Sequence, residues 1–217
     1  MSDDAIAHRF RDLAGFLPPR CWEAVLPFFR KYPINLTITR ERKTRLGDYC
    51  PPFKSEKAHR ITVNGNLNPY AFLVTLLHEI AHLEVYEQHR RSVKPHGPEW
   101  KKTFGTLLFS FADAGLFPKD LESVVRRSAV SPASATFRDV ALSGALRRYD
   151  SGVENLLLAA DLLVGAIFRG SDGHRYEVLE RRRSRLRCRR EANGREYLVP
   201  FAAEVFEVEN LPTKEPH

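Results

Sequence analysis

From Pro69 onward, Phe72, Leu73, Leu76, Leu77, Ile80 and Leu83 recur at three- and four-residue spacing, which commits the stretch to a helix with a broad apolar face. Asn68 supplies an N-cap and Pro69 fits the first turn, where a missing N–H costs nothing. The same helix contains His78-Glu79-Ile80-Ala81-His82. Residues four apart project from one face, so both imidazoles reach one metal ion, with Glu79 beside them in range of a water on that ion. So short a pattern also arises by chance; its place in a buried helix is what gives it weight.

A catalytic zinc site needs a third protein ligand and keeps one position for water. Three residues downstream offer themselves: His89, His96 and Glu99. His89 follows His82 too closely to turn back onto the metal. A third histidine six residues on, with a glycine three residues after His82, would mark another class, but position 85 is Val. His96 ranks first, because Pro95 and Gly97 let the chain reverse before the next helix, which runs through Trp100, Phe104, Leu107, Leu108 and Phe111 to a stop at Gly115. Glu99 remains an alternative from that helix. Structural zinc sites usually take four Cys or His ligands, so three histidines with a spare Glu79 point to a catalytic site with Glu79 as general base.

Around this centre, residues 3–14 and 20–31 read as amphipathic helices separated by Pro18-Pro19, and 34–39 and 61–63 alternate as strands. Residues 128–136 have linker composition, and a short helix through Val140, Leu142 and Leu146 follows. From Gly165 the pattern changes to short strands with glycine-containing turns, the mark of a small antiparallel β module. The expected division is a first domain over 1–127, a linker with a short helix over 128–160, the β module over 161–210 and a tail over 211–217.

The formal charge is +7, which favours an anionic partner such as nucleic acid. Residues 1–150 hold 23 basic and 16 acidic side chains against 11 of each in 151–217, so the excess lies in the first part. Within the β module, Arg183, Arg185, Arg187 and Arg189 would share one face of a strand, opposite Ser184, Leu186 and Cys188, making a stripe for phosphates. The competing reading is a solvated strand face beside Glu180 and Glu191. Arg40 to Arg45, with Lys43, and the loop bearing Arg90 and Arg91 are further basic clusters. Cys21, Cys50 and Cys188 are scattered without CxxC spacing, which fits a reducing compartment and not a disulfide framework. The longest apolar runs fall far short of the ~20 residues needed to cross a bilayer. With an acidic start at Asp3-Asp4, the expectation is a cytoplasmic protein without a membrane partner.

Leu46-Gly47, the Ile61-Thr62-Val63-Asn64 strand, Leu76-Leu77-His78-Glu79-Ile80-Ala81-His82 and His96-Gly97-x-x-Trp100 together resemble the SprT-like metallopeptidases, over roughly residues 30–115. The resemblance implies an α+β, zincin-like metallopeptidase domain, one Zn(2+) per chain on His78, His82 and His96, and Glu79 as catalytic base. It further implies a zinc-dependent protease that hydrolyses peptide bonds in protein substrates by metal-activated water. Eukaryotic members, which include Spartan, cleave proteins crosslinked to DNA, so DNA stands as an expected second partner by analogy. Many members end in a four-cysteine zinc ribbon; here Cys188 is the sole cysteine after Cys50. The alternative reading is a non-proteolytic DNA-binding or adaptor protein that retains a zinc site.

Overall fold

The computed structural model describes residues 10–42, 44–53, 56–134, 139–150, 157–201 and 203–209. The chain forms two compact units, 1–142 and 143–217. Five α-helices and nine strands occur among the described residues, giving an α+β architecture with two separate sheets.

In the first unit, a 3₁₀ turn over Arg11–Phe16 precedes helix α1 (Cys21–Lys31), while most of the predicted 3–14 helix lies outside the described residues. Strands β1 (Ile34–Thr39), β2 (Gly47–Cys50) and β3 (His59–Asn64) form a sheet in the order β1-β3-β2. β1 runs parallel to β3, with Leu36 opposite Ile61, and β2 runs antiparallel to β3, with Tyr49 opposite Ile61. β2 is therefore an edge strand.

Helix α2 (Pro69–His89) packs against this sheet and against helix α3 (Pro98–Asp113). The Asn68 side chain accepts a hydrogen bond from the Ala71 N–H at 2.9 Å, which satisfies one of the donors that a helix start leaves free. α2 is buried almost without break from Phe72 to Ala81, wider than the one-sided stripe of a surface helix, which makes it the centre of the unit. Ile61, Val63, Leu73, Leu76, Leu77 and Ile80 are wholly shielded, each contributing about 1.5–3 kcal/mol from burial. Helix α4 (Lys119–Val130) packs on α3 and puts its last turn where the composition of 128–136 predicts a linker. Helix α5 (Val140–Arg147) follows. Among the described residues, no helix is long and apolar enough to cross a membrane.

The second unit is an antiparallel sheet of β4 (Leu157–Leu158), β5 (Ile167–Gly170), β6 (Arg175–Arg181), β7 (Arg185–Arg190), β8 (Glu196–Pro200) and β9 (Glu204–Glu209) in the order β4-β9-β5-β6-β7-β8. Phe168, Tyr176, Val178, Leu186, Cys188 and Val205 make its core. The period of two along β7 buries Leu186 and Cys188 and turns Arg185, Arg187 and Arg189 outward.

α3 and α4 cross closely at Gly105, where an added Cβ would stand 2.4 Å from the Ala129 carbonyl oxygen. Alanine favours a helix by up to ~1 kcal/mol over glycine, but forcing backbone apart costs about 1–3 kcal/mol, so the clash wins. Gly105→Ala is expected to lower the urea midpoint with an unchanged slope.

Candidate metal centre

One turn of α2 places His78 and His82 on the same face, and the loop after α2 returns His96 to them. The Nε2 atoms form a triangle, 3.3 Å between His78 and His82, 3.1 Å between His78 and His96 and 3.0 Å between His82 and His96. A neutral imidazole nitrogen offers either one N–H or one lone pair in its ring plane, so three mutual contacts cannot all be hydrogen bonds. Nitrogens bound at about 2.0–2.1 Å to one tetrahedral ion lie roughly 3.4 Å apart, within a few tenths of this triangle. The three side chains are thus able to hold one metal ion. His89, at the last residue of α2, and Glu99, in the first turn of α3, lie outside the converging group.

His96 has a left-handed backbone, φ 58°, a conformation that costs a non-glycine residue about 1–2 kcal/mol. What holds it is the start of α3. Gly97 and Pro98 open that helix, and Trp100, fully buried in its first turn, packs on all three histidines with ring centroids 4.6 Å from His78, 5.3 Å from His82 and 4.6 Å from His96. On its other side, the His82 ring lies almost parallel to Tyr49 of β2.

Glu79 is 5% exposed and packs under β2, where a Cβ on Gly47 would lie 2.5 Å from its Oε1. Only a residue without a side chain lets the strand approach this carboxyl. Burial pushes the Glu79 carboxyl up to about 8, with the Asp48 carboxylate adding to the rise and Arg42 opposing it. Burial likewise pulls His78 down to about 3, with His82 and His96 lowering it further, and His82 to about 4, with His96 lowering it further and Asp48 opposing. These imidazoles stay neutral at ordinary pH, the form that ligates metals. A cleft of about 480 Å³ opens over the site between Tyr49 and Pro51 on one wall and Tyr86 and Lys94 on the other.

The predicted arginine stripe belongs to the second unit. Arg183 lies in the bend before β7 and Arg185 at its first residue, both exposed. Arg187 is paired with Glu180 at 2.9 Å and Glu196 at 3.2 Å, and Arg189 with Glu177 at 3.6 Å. Gly47, Tyr49 and the contact of Trp100 with every histidine are site features that spacing alone does not reveal, although Gly47 and Trp100 stand within the motifs that carry the family resemblance.

Fold and site together define an α+β domain in which two histidines of a buried helix and one from the loop after it stand close enough to hold one metal ion. A family model described as SprT-like family matches residues 27–111, which supports a SprT-like domain over that stretch. No curated protein and no solved structure matches it.

Because the folded Glu79 pKa stands above its ordinary value, the folded metal-free protein keeps a proton that the unfolded chain releases between pH 4.5 and about 8. This is a stability cost that grows as pH rises through that window. Glu79→Gln removes it. In metal-free protein, the substitution is expected to stabilise by on the order of 3 kcal/mol at pH 8 and by almost nothing near pH 4.5, read from denaturant titrations at both pH values.

Proposed function

We propose that the SprT-like domain is a zinc-dependent peptidase that hydrolyses peptide bonds in protein substrates. The observation that carries this reading is a buried carboxyl, Glu79, next to three converging histidines at the floor of a solvent-facing cleft. Catalytic zinc takes three protein ligands, and the donor set of His78, His82 and His96 fits it; soft thiolate ligands are absent from the cluster. Zinc held there supplies Lewis acidity, which lowers the pKa of water towards ~7 and polarises a carbonyl.

Glu79 accepts the proton from the attacking water and delivers it to the leaving amine. A dication beside the carboxyl reverses the sign of its environment, drawing its pKa back down so that it can act as a base. β2 is a sheet edge beside the cleft, so an extended peptide can pair with its free backbone groups and lie across the site. Tyr49 and Tyr86 offer flat apolar walls to substrate side chains. The Tyr49 hydroxyl is engaged by His59, which leaves it unsuited to stabilising an oxyanion.

Arg187 and Arg189 are met by glutamates across the strands, so the arginine face lends the DNA-binding alternative less support than the sequence pattern alone. Buried thiols at Cys21 and Cys188 fit the cytoplasm as the proposed compartment.

Glu79→Gln is expected to keep about one zinc per chain and to cut casein cleavage by roughly 10²–10⁴-fold, the usual scale for a general base. Zinc content by elemental analysis, alongside cleavage with metal removed and restored, checks this. Wild type that binds zinc and cleaves nothing sinks the peptidase reading.

A further inference from the structure

The Tyr49 ring lies nearly flat against the His82 imidazole, 6° between planes and 6.3 Å between centroids. Its hydroxyl is 3.0 Å from Nδ1 of His59. His59, the first residue of β3, is 2% exposed, and its Nε2 is 3.5 Å from Oε1 of Glu87 on α2. Burial lowers the His59 pKa, with Glu87 opposing and Arg90 assisting, so the ring is neutral. A neutral imidazole has one acceptor and one donor. The tyrosine O–H therefore donates to Nδ1, and the Nε2–H faces the glutamate. Tyr32 and Tyr86 close round His59 edge-on, at 6.0 and 6.1 Å, and Arg90 holds Glu87 at 2.7 Å.

A buried histidine is an expensive packing residue, because each of its nitrogens must find a partner or lose about 1–3 kcal/mol. An apolar side chain would fill the same space more cheaply. What the histidine adds is a direction. β2 has only four residues and pairs on one side alone, so its backbone fixes it weakly, yet it carries Gly47 against Glu79 and Tyr49 against His82. Anchoring the Tyr49 hydroxyl to β3 and, through His59, to α2 ties the three elements at the point where the metal ligand needs support.

We propose that Tyr49, His59 and Glu87 form a latch that fixes β2 over the metal centre and holds the His82 imidazole in its ligating orientation. They are positioning residues, one step removed from the ligands. The proposal rests on the metal-binding part of the reading above and not on hydrolysis. Outer partners of metal-ligating histidines typically change metal affinity by 10–100-fold, and a link through ring stacking belongs at the lower end.

The test is zinc affinity by competition with a chromophoric chelator, together with the visible spectrum of the cobalt-loaded protein. Tyr49→Phe keeps the ring and loses only the tether; His59→Leu removes the acceptor; His59→Asn restores an acceptor near the Nδ1 position. Tyr49→Phe and His59→Leu should each raise the zinc dissociation constant about tenfold and shift the cobalt bands, and the double variant should do no more than either single one. His59→Asn should stay within about threefold of wild type. Circular dichroism of the metal-free variants establishes that each is folded, and if His59→Leu fails to fold, Tyr49→Phe alone decides. A dissociation constant for Tyr49→Phe within about twofold of wild type, or effects that add in the double variant, overturns the latch while leaving the metal site standing. A wild type that takes up no zinc overturns both.

Discussion

A helix buried through its central turns has to carry two imidazoles and a carboxyl, and much of the site's character follows from that desolvation. Charge is disfavoured there for all three groups. His78 and His82 are driven down to about 3 and 4 and Glu79 up to about 8, in each case mainly by burial. The result is a cluster of lone pairs and one protonated acid with no net charge of its own. Such a pocket would gain most from a dication, because the two helix-borne imidazoles are already neutral and an ion's field would meet little screening. A dication held there would also draw the Glu79 pKa back down, so uptake of the ion and deprotonation of Glu79 would be linked electrostatically.

Precision at the third histidine comes from a different source. His96 stands on a loop, in a left-handed conformation that a chain adopts only when its surroundings impose it. Gly97, Pro98 and Trp100 impose it from the α3 side, since the start of that helix and the indole leave the preceding residue one direction to take. Trp100 meets the two α2 histidines as well, so one side chain sets the spacing of the whole triangle. The strained residue is thus held by its packing against the start of α3 and the indole.

Much of this was open to sequence reasoning wherever the signal is local. Periodicity gives α2, Asn68 and Pro69 give its start, and alternation gives β1 and β3, because each depends on neighbours within a few residues. β2 is different: Gly-Asp-Tyr-Cys has no alternating pattern, and it is a strand because β3 offers it hydrogen bonds. α4 has Leu121, Val125 and Ala129 four apart, a weak stripe diluted by the acids and arginines around it. His59 shows the limit most clearly. Nothing near it in the chain marks it, and its meaning comes only from Tyr49 and Glu87, brought to it by the fold.

The arginine face shows the same limit from the opposite side, for there a local signal is modified by distant residues. Alternation along β7 places Arg185, Arg187 and Arg189 outward together, and that much follows from the strand period. The field they produce depends on register, which sets Glu177 opposite Arg189, Glu180 opposite Arg187 and Glu196 opposite Arg189 on the other flank. Exposed pairs of this kind are worth only about 0–1 kcal/mol each, so they do little to hold the sheet. Pairing of this kind bears more on the long-range potential than on stability, because an arginine matched by a glutamate adds little net charge to the face. A row of arginines in sequence is evidence for a cationic surface only when the neighbouring strands leave it uncompensated.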